Sequence, residues 1–195
     1  MTNSEASAQV AIADTQRWLE RAVIGLNLCP FAKAVHVKDL IRYVVSEATT
    51  SAELLSDLKN ELNSLENMGA DDVSIAYDTT LLIAPHCLPD FLDFNDFLAK
   101  ADKLIAKMKL EGTIQLANFH PQYQFAGTEP DDITNFTNRA PYPTLHLLRE
   151  SSIDQAVEAF PEAEAIFEVN MQTMERLGLK GWDALQVGAT LNATP

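Results

Sequence analysis

Apolar residues recur along this chain with two spacings, and the alternation between them lays out the elements. Between Val10 and Leu26 the apolar positions Ile12, Trp18, Leu19, Ala22 and Val23 fall at helical intervals, with Asp14, Arg17, Glu20 and Arg21 among them. A helix is expected there, stopping near Gly25-Leu26-Asn27, since Gly and Asn tolerate the backbone conformations that end helices. In "LCPFAKAVHV" Pro30 is placed to open a short helical turn. Residues 39–48, "DLIRYVVSEA", are rich in β-branched and aromatic side chains and predict a strand. Thr50 or Ser51 ahead of Glu53 is a capping signal, and Leu54, Leu55, Leu58, Leu62 and Leu65 then make one apolar helical face that Gly69 closes. "TTLLIAP" (79–85) predicts a second strand. A helix follows from about Asp90 to Leu110 with Phe91, Phe94, Leu98, Ile105 and Met108 inward, and "GTIQLANFHP" (112–121) predicts a third strand.

Strands alternating with helices at these distances describe an α/β or α+β two-layer sandwich. We expect a small sheet of about three to four strands covered by helices, with additional N- and C-terminal helices. A ferredoxin-like arrangement and a parallel βαβαβ sheet both fit. The segment 120–143 interrupts the pattern: it holds Pro121, Pro130, Pro141 and Pro143, four of the nine prolines. Long, stiff, irregular segments in compact domains are usually functional loops or lids. Pro143 with "TLHLLRE" predicts a helix whose polar face carries Tyr142, His146, Arg149 and Glu150, with Leu145 and Leu148 inward. "SSIDQAVEAF" and "EAEAIFEVNMQTMERLG" predict two C-terminal helices. Residues 1–7 are small and polar and expected to fray, residues 8–185 form one domain, and residues 186–195 read as a loose tail.

Composition narrows the partners. The 195 residues are 47% hydrophobic, enough for a substantial core, and the formal net charge is −14. That charge argues against nucleic acid and anionic membranes, both of which need a basic face. No apolar run approaches the roughly 18 residues of a membrane helix, and the N-terminus lacks the basic and apolar blocks of a secretory signal. A cytoplasmic protein is the expectation. Cys29 and Cys87 are the two cysteines; they cannot make a disulfide framework, though a single bridge stays open. The cofactor is left unknown. No GxGxxG, GxxxxGK[ST] or GxSxG occurs, and His36, His86, His120 and His146 have no metal-ligand spacing, so no metal site is assigned.

Candidate chemistry concentrates between residues 118 and 150. His120, in "NFHPQYQF", stands at the end of the third strand, where ligands of α/β proteins gather. It suits a general acid or base, or else a strand cap bonded to a loop carbonyl. Tyr123 would share its pocket. Arg139 follows Asn138 in the proline-stiffened loop and suits two-pronged capture of an anion, with Arg149 as a second anchor. His146 would assist, and Tyr142 and Asn138 would bind substrate. Cys29 precedes Pro30; at the N-terminus of a helix its thiol would be acidified and nucleophilic, while inside a helix it would be inert. Cys87, beside His86, is a weaker second thiol.

"GLNLCPFAKAVHV", "NFHPQYQF" and "TNRAPYPTLHLLRE" resemble the hallmark stretches of a bacterial family of about 180–200 residues, known as a domain of unknown function. The resemblance runs from about Trp18 to Leu177. It implies a bacterial cytoplasmic protein and carries over no catalytic residue, so the site rests on the residues themselves. Two functions fit them. One is a hydrolase or transferase acting on a small anionic metabolite, with His120, His146 and Cys29 catalytic. The other is a non-catalytic sensor or adaptor in which the same polar groups form a buried hydrogen-bond network that fixes the long loop. Oligomeric state is not legible.

Overall fold

The polar N-terminus turns straight into structure. Thr2 and Glu5 close a reciprocal capping box, each side chain accepting from the other's backbone N–H, and α1 (Asn3–Trp18) begins there rather than near Val10. These coordinates are a computed structural model that describes residues 2–67, 77–158 and 165–191. The helix widens into a π-helical segment, Leu19–Ile24, and stops where expected, with Asn27 left-handed at φ 54°. Then come α2 (Ala32–Val37), β1 (Ile41–Val45), α3 (Ser51–Asn67), β2 (Thr79–Ile83), α4 (Phe91–Met108) and β3 (Ile114–Phe119). Thr50 and Glu53 cap α3 reciprocally, and Asp90 caps α4 by accepting from the amides of Leu92 and Asp93. Gly69 lies outside the described residues.

"TLHLLRE" is not a helix. Thr144–Arg149 is strand β4, inserted between β2 and β3 and antiparallel to both, while β1 and β2 are parallel. The sheet order is β1-β2-β4-β3, neither ferredoxin-like nor all-parallel. Leucine's helix propensity is a weak prior, and here it loses to two complete backbone ladders. The change of period matters for chemistry. On a helix His146, Arg149 and Glu150 would share a face; on a strand His146 aligns with Thr144 and Leu148, and Arg149 turns to the other side.

The two faces of the sheet have separate cores. Leu82, Leu145, Leu147 and Ile114 pack with Leu54, Leu58, Leu62 and Leu65 of α3 and Phe94, Phe97, Ala101 and Ile105 of α4. This is the sandwich that the leucine pattern predicts. On the opposite face Ile41, Tyr43 and Phe119 meet Trp18, Leu19, Ala22, Val23 and Ala32, with Trp182 and Leu185 from the C-terminal end. The additional terminal helices therefore form the second cover. α5 (Glu150–Glu158) leaves β4 directly, and α6 (Ile166–Leu185) kinks at Gly178, whose φ is 62°. The tail is tied down through residue 191. Arg17 donates to the carbonyls of Gln186 and Gly188, Arg21 donates to that of Leu185, and the buried Asp14 carboxylate receives the Thr190 amide and hydroxyl. Tyr142 donates to the same carboxylate at 2.6 Å. Burial alone would raise the Asp14 pKa, but the bonds from Tyr142, Thr190 and Arg17 outweigh it and hold the group below the usual range.

Candidate functional site

The N-terminal cover does not close completely on the sheet. Between the π-helical segment, the Cys29–Val35 stretch, α5 and the sheet lies a cavity of about 490 Å³. Trp18, Leu19 and Val23 form one wall, Phe31 and Val35 another, and Ile41, Leu81 and Phe119 contribute from the strands. Trp18 and Phe119 meet edge to face, ring centres 5.0 Å apart. The extra residue per turn of a π-helix changes which side chains reach inward, and such segments often border functional sites.

His146 lies in this wall because β4 is a strand. Leu81 is its cross-strand partner on β2, Ala117 its partner on β3, and Thr79 sits diagonally on the same face. Its Nε2 is 2.6 Å from Thr79 Oγ1, which in turn donates to the Leu147 carbonyl at 2.7 Å. A hydroxyl has one proton, and Thr79 gives it to the carbonyl, so Nε2 must carry hydrogen and donate to Thr79. Nδ1 then holds the free lone pair. It has no protein partner among the described residues and keeps accessible surface. Burial drives the imidazole pKa down to about 4, so the ring is neutral at pH 7.

Cys29 lines the same cavity. The amides of Phe31 and Ala32 do favour its thiolate, as a helix start should, but burial dominates and pushes the thiol above its ordinary value. The acidified nucleophile expected from the position of Pro30 is therefore not formed; helix α2 begins at Ala32, and the sulfur sits in an apolar wall. Asp78, Thr79, Arg149 and Ser152 are further polar groups at the boundary. Arg149 is committed elsewhere in part, donating from one terminal nitrogen to the Leu65 carbonyl.

The other candidates lie elsewhere, each tied to protein. His120 is fully buried; Nε2 meets the Leu88 carbonyl at 3.1 Å, and Nδ1 accepts from the Gln122 amide at 3.0 Å. Its ring lies between Phe91 and Phe94, with centres 5.5 and 5.1 Å away, and burial lowers its pKa despite the Leu88 bond and Asp90. Arg139 donates to the carbonyls of Tyr123 and Pro130 and lies 4.1 Å above the Phe136 ring. Desolvation lowers its pKa, and no carboxylate among the described residues pairs with it. Asn138 bridges to Asn118 and accepts from Thr137, while its carbonyl receives the His120 amide. Tyr123 packs against Phe91 at a tilt and against Phe125 edge to face. Tyr142 is spent on Asp14. Cys87 is buried in the other core, its thiol raised by burial and by Glu53, and both cysteines are free.

Of the catalytic trio, then, the fold joins Cys29 and His146 and sets His120 apart. His120, Asn138 and Arg139 bond backbone groups in and beside the 118–139 loop. Thr79 and the Trp18 wall were missed as site residues. Thr79 had a signal: a threonine beginning a strand buried at every position needs a polar partner. Among the described residues no three His, Cys, Asp or Glu groups gather as metal ligands, and no helix is long and apolar enough to cross a membrane.

The fold is that of an α/β protein with a mostly apolar cavity between its N-terminal cover and a mixed sheet. The chain belongs to the family described as protein of unknown function DUF1415, whose model matches residues 10–184. Comparison with curated proteins and with solved structures finds no match to this chain.

Proposed function

We propose that the protein binds a small, mainly apolar molecule in the cavity beneath the π-helical segment, acting as a sensor rather than a catalyst. One observation carries this: an apolar space of about 490 Å³ is lined by His146, whose Nδ1 has no protein partner among the described residues. Ligand sites in general are concave, mostly apolar and supplied with a few convergent polar groups, in volumes of roughly 300–1,000 Å³. The net charge of −14 supports leaving nucleic acid and membranes out of the scheme, and free cysteines are compatible with a bacterial cytoplasm.

A hydrolase or transferase reading draws on the shared cavity of Cys29 and His146. Against it, no hydrogen bond joins them, and burial keeps both neutral at pH 7. Of the two arginines expected to anchor an anionic metabolite, Arg139 is bonded to loop carbonyls away from the cavity, while Arg149 stands at the cavity with one terminal nitrogen given to the Leu65 carbonyl.

Trp18 is 2% exposed and lines the cavity, which makes it a reporter. With Trp182 replaced by Phe to silence the second indole, titration with a panel of small apolar molecules should change Trp18 emission saturably for some of them. An emission that never responds, at any concentration up to solubility, would refute binding there.

A further inference from the structure

The polar end of the cavity says more about its occupant than its volume does. The chain of protons runs one way, from His146 Nε2 through the Thr79 hydroxyl to the Leu147 carbonyl. This leaves Nδ1 as a pure acceptor, because the neutral ring has one proton and has already used it. A ligand that brings a carbonyl or ether oxygen to Nδ1 sets lone pair against lone pair. A ligand that brings O–H or N–H completes the bond.

Charge points the same way. Asp78 adds a carboxylate at the cavity that offsets the Arg149 guanidinium there, and Arg149 gives one terminal nitrogen to the Leu65 carbonyl. The whole chain carries −14, so its field repels anions on approach. Around the acceptor the walls are aromatic and aliphatic, with Trp18, Phe31 and Phe119 offering ring edges and faces to a flat body.

Resting on the binding reading above, the geometry points to a specific ligand class: an uncharged aromatic or aliphatic molecule bearing one hydroxyl or N–H donor, bound with that donor on His146 Nδ1. Thr79 is a positioning residue, since it fixes which nitrogen of His146 accepts.

Three probes of one shape separate the possibilities: 2-naphthol as donor, 2-methoxynaphthalene as acceptor only, and 2-naphthoate as anion. Dissociation constants are measured by calorimetry on the full-length wild-type protein at pH 7. One neutral hydrogen bond should favour 2-naphthol over 2-methoxynaphthalene by about 3- to 10-fold. His146→Phe should erase that preference while retaining binding, and in wild type the imidazole ¹⁵N spectrum should move Nδ1 of His146 on adding 2-naphthol and not on adding the ether. Equal affinity of 2-naphthol and the ether, or tightest binding of 2-naphthoate, overturns the donor assignment and leaves the cavity as a site. Failure of all three to bind overturns the site itself and the assignment with it. The wild-type comparison decides even where His146→Phe does not fold.

Discussion

Acid should weaken this protein through His146, and the size of the effect follows from its burial. The ordinary histidine pKa is 6.5, and in the folded chain it falls to about 4. The unfolded chain therefore takes up a proton at a pH where the native ring refuses it. A depressed native pKa supplies stability that is complete above pH 6.5 and is lost as the pH falls toward 4. Linkage gives a loss of about 2 kcal/mol by pH 5 and about 3 kcal/mol by pH 4 from this one group. Other groups titrate too, His120 among them, so the comparison must be differential. Urea unfolding is run at pH 7.5 and pH 5 for the wild type and for His146→Gln. The variant begins from a lower stability, but its loss between the two pH values should be smaller than the wild type's by about 2 kcal/mol. Parallel losses in the two proteins would refute the neutral, buried imidazole, and with it the proton chain through Thr79.

Further outcomes follow from the same geometry. His120→Ala strands the Leu88 carbonyl and the Gln122 amide and opens a void beside Phe94, so it should cost about 2–4 kcal/mol in thermal or urea unfolding without altering probe affinity in the cavity. Asp14→Ala removes the acceptor shared by Tyr142, Thr190 and Arg17; it should cost about 2–4 kcal/mol and accelerate amide exchange at residues 186–191, measured by mass spectrometry. Cys29 should react with iodoacetamide at pH 8 more slowly than a model thiol, and a bound cavity ligand should slow it further, as followed by intact mass.

Where neighbours in sequence settle the outcome, the residues were readable. The leucines of α3, the Asp90 cap of α4 and the stop at Asn27 are local matters, and each element stands where its pattern puts it. β4 is different. Nothing within "TLHLLRE" announces that β2 and β3 will leave a slot between them, and leucine suits either conformation. That single change of period moved His146 onto the face of Thr79 and let Arg149 reach the Leu65 carbonyl, though both residues still line the cavity. The loop residues were expected to build a site with one another, but composition does not distinguish an open site from a closed network. His120 and Arg139 are consumed by backbone groups of Leu88, Gln122, Tyr123 and Pro130, which sequence spacing does not display. For Cys29 the dipole argument identified real amide partners, and only the depth of burial, a tertiary property, reverses its outcome. The tail shows the same limit: Thr190 reaches an aspartate 176 residues earlier in the chain.

The central claim is that a small molecule occupies the space between the N-terminal cover and the sheet. The most direct measurement is isotope-filtered NOE spectroscopy on ¹³C-methyl-labelled protein with 2-naphthol. Cross-peaks from the ring protons to methyls of Val23, Val35, Leu81 and Ile153 are the predicted result, since all four residues line the cavity. Cross-peaks confined to residues outside that set, or none under conditions where the free ligand signals broaden on adding protein, would contradict it.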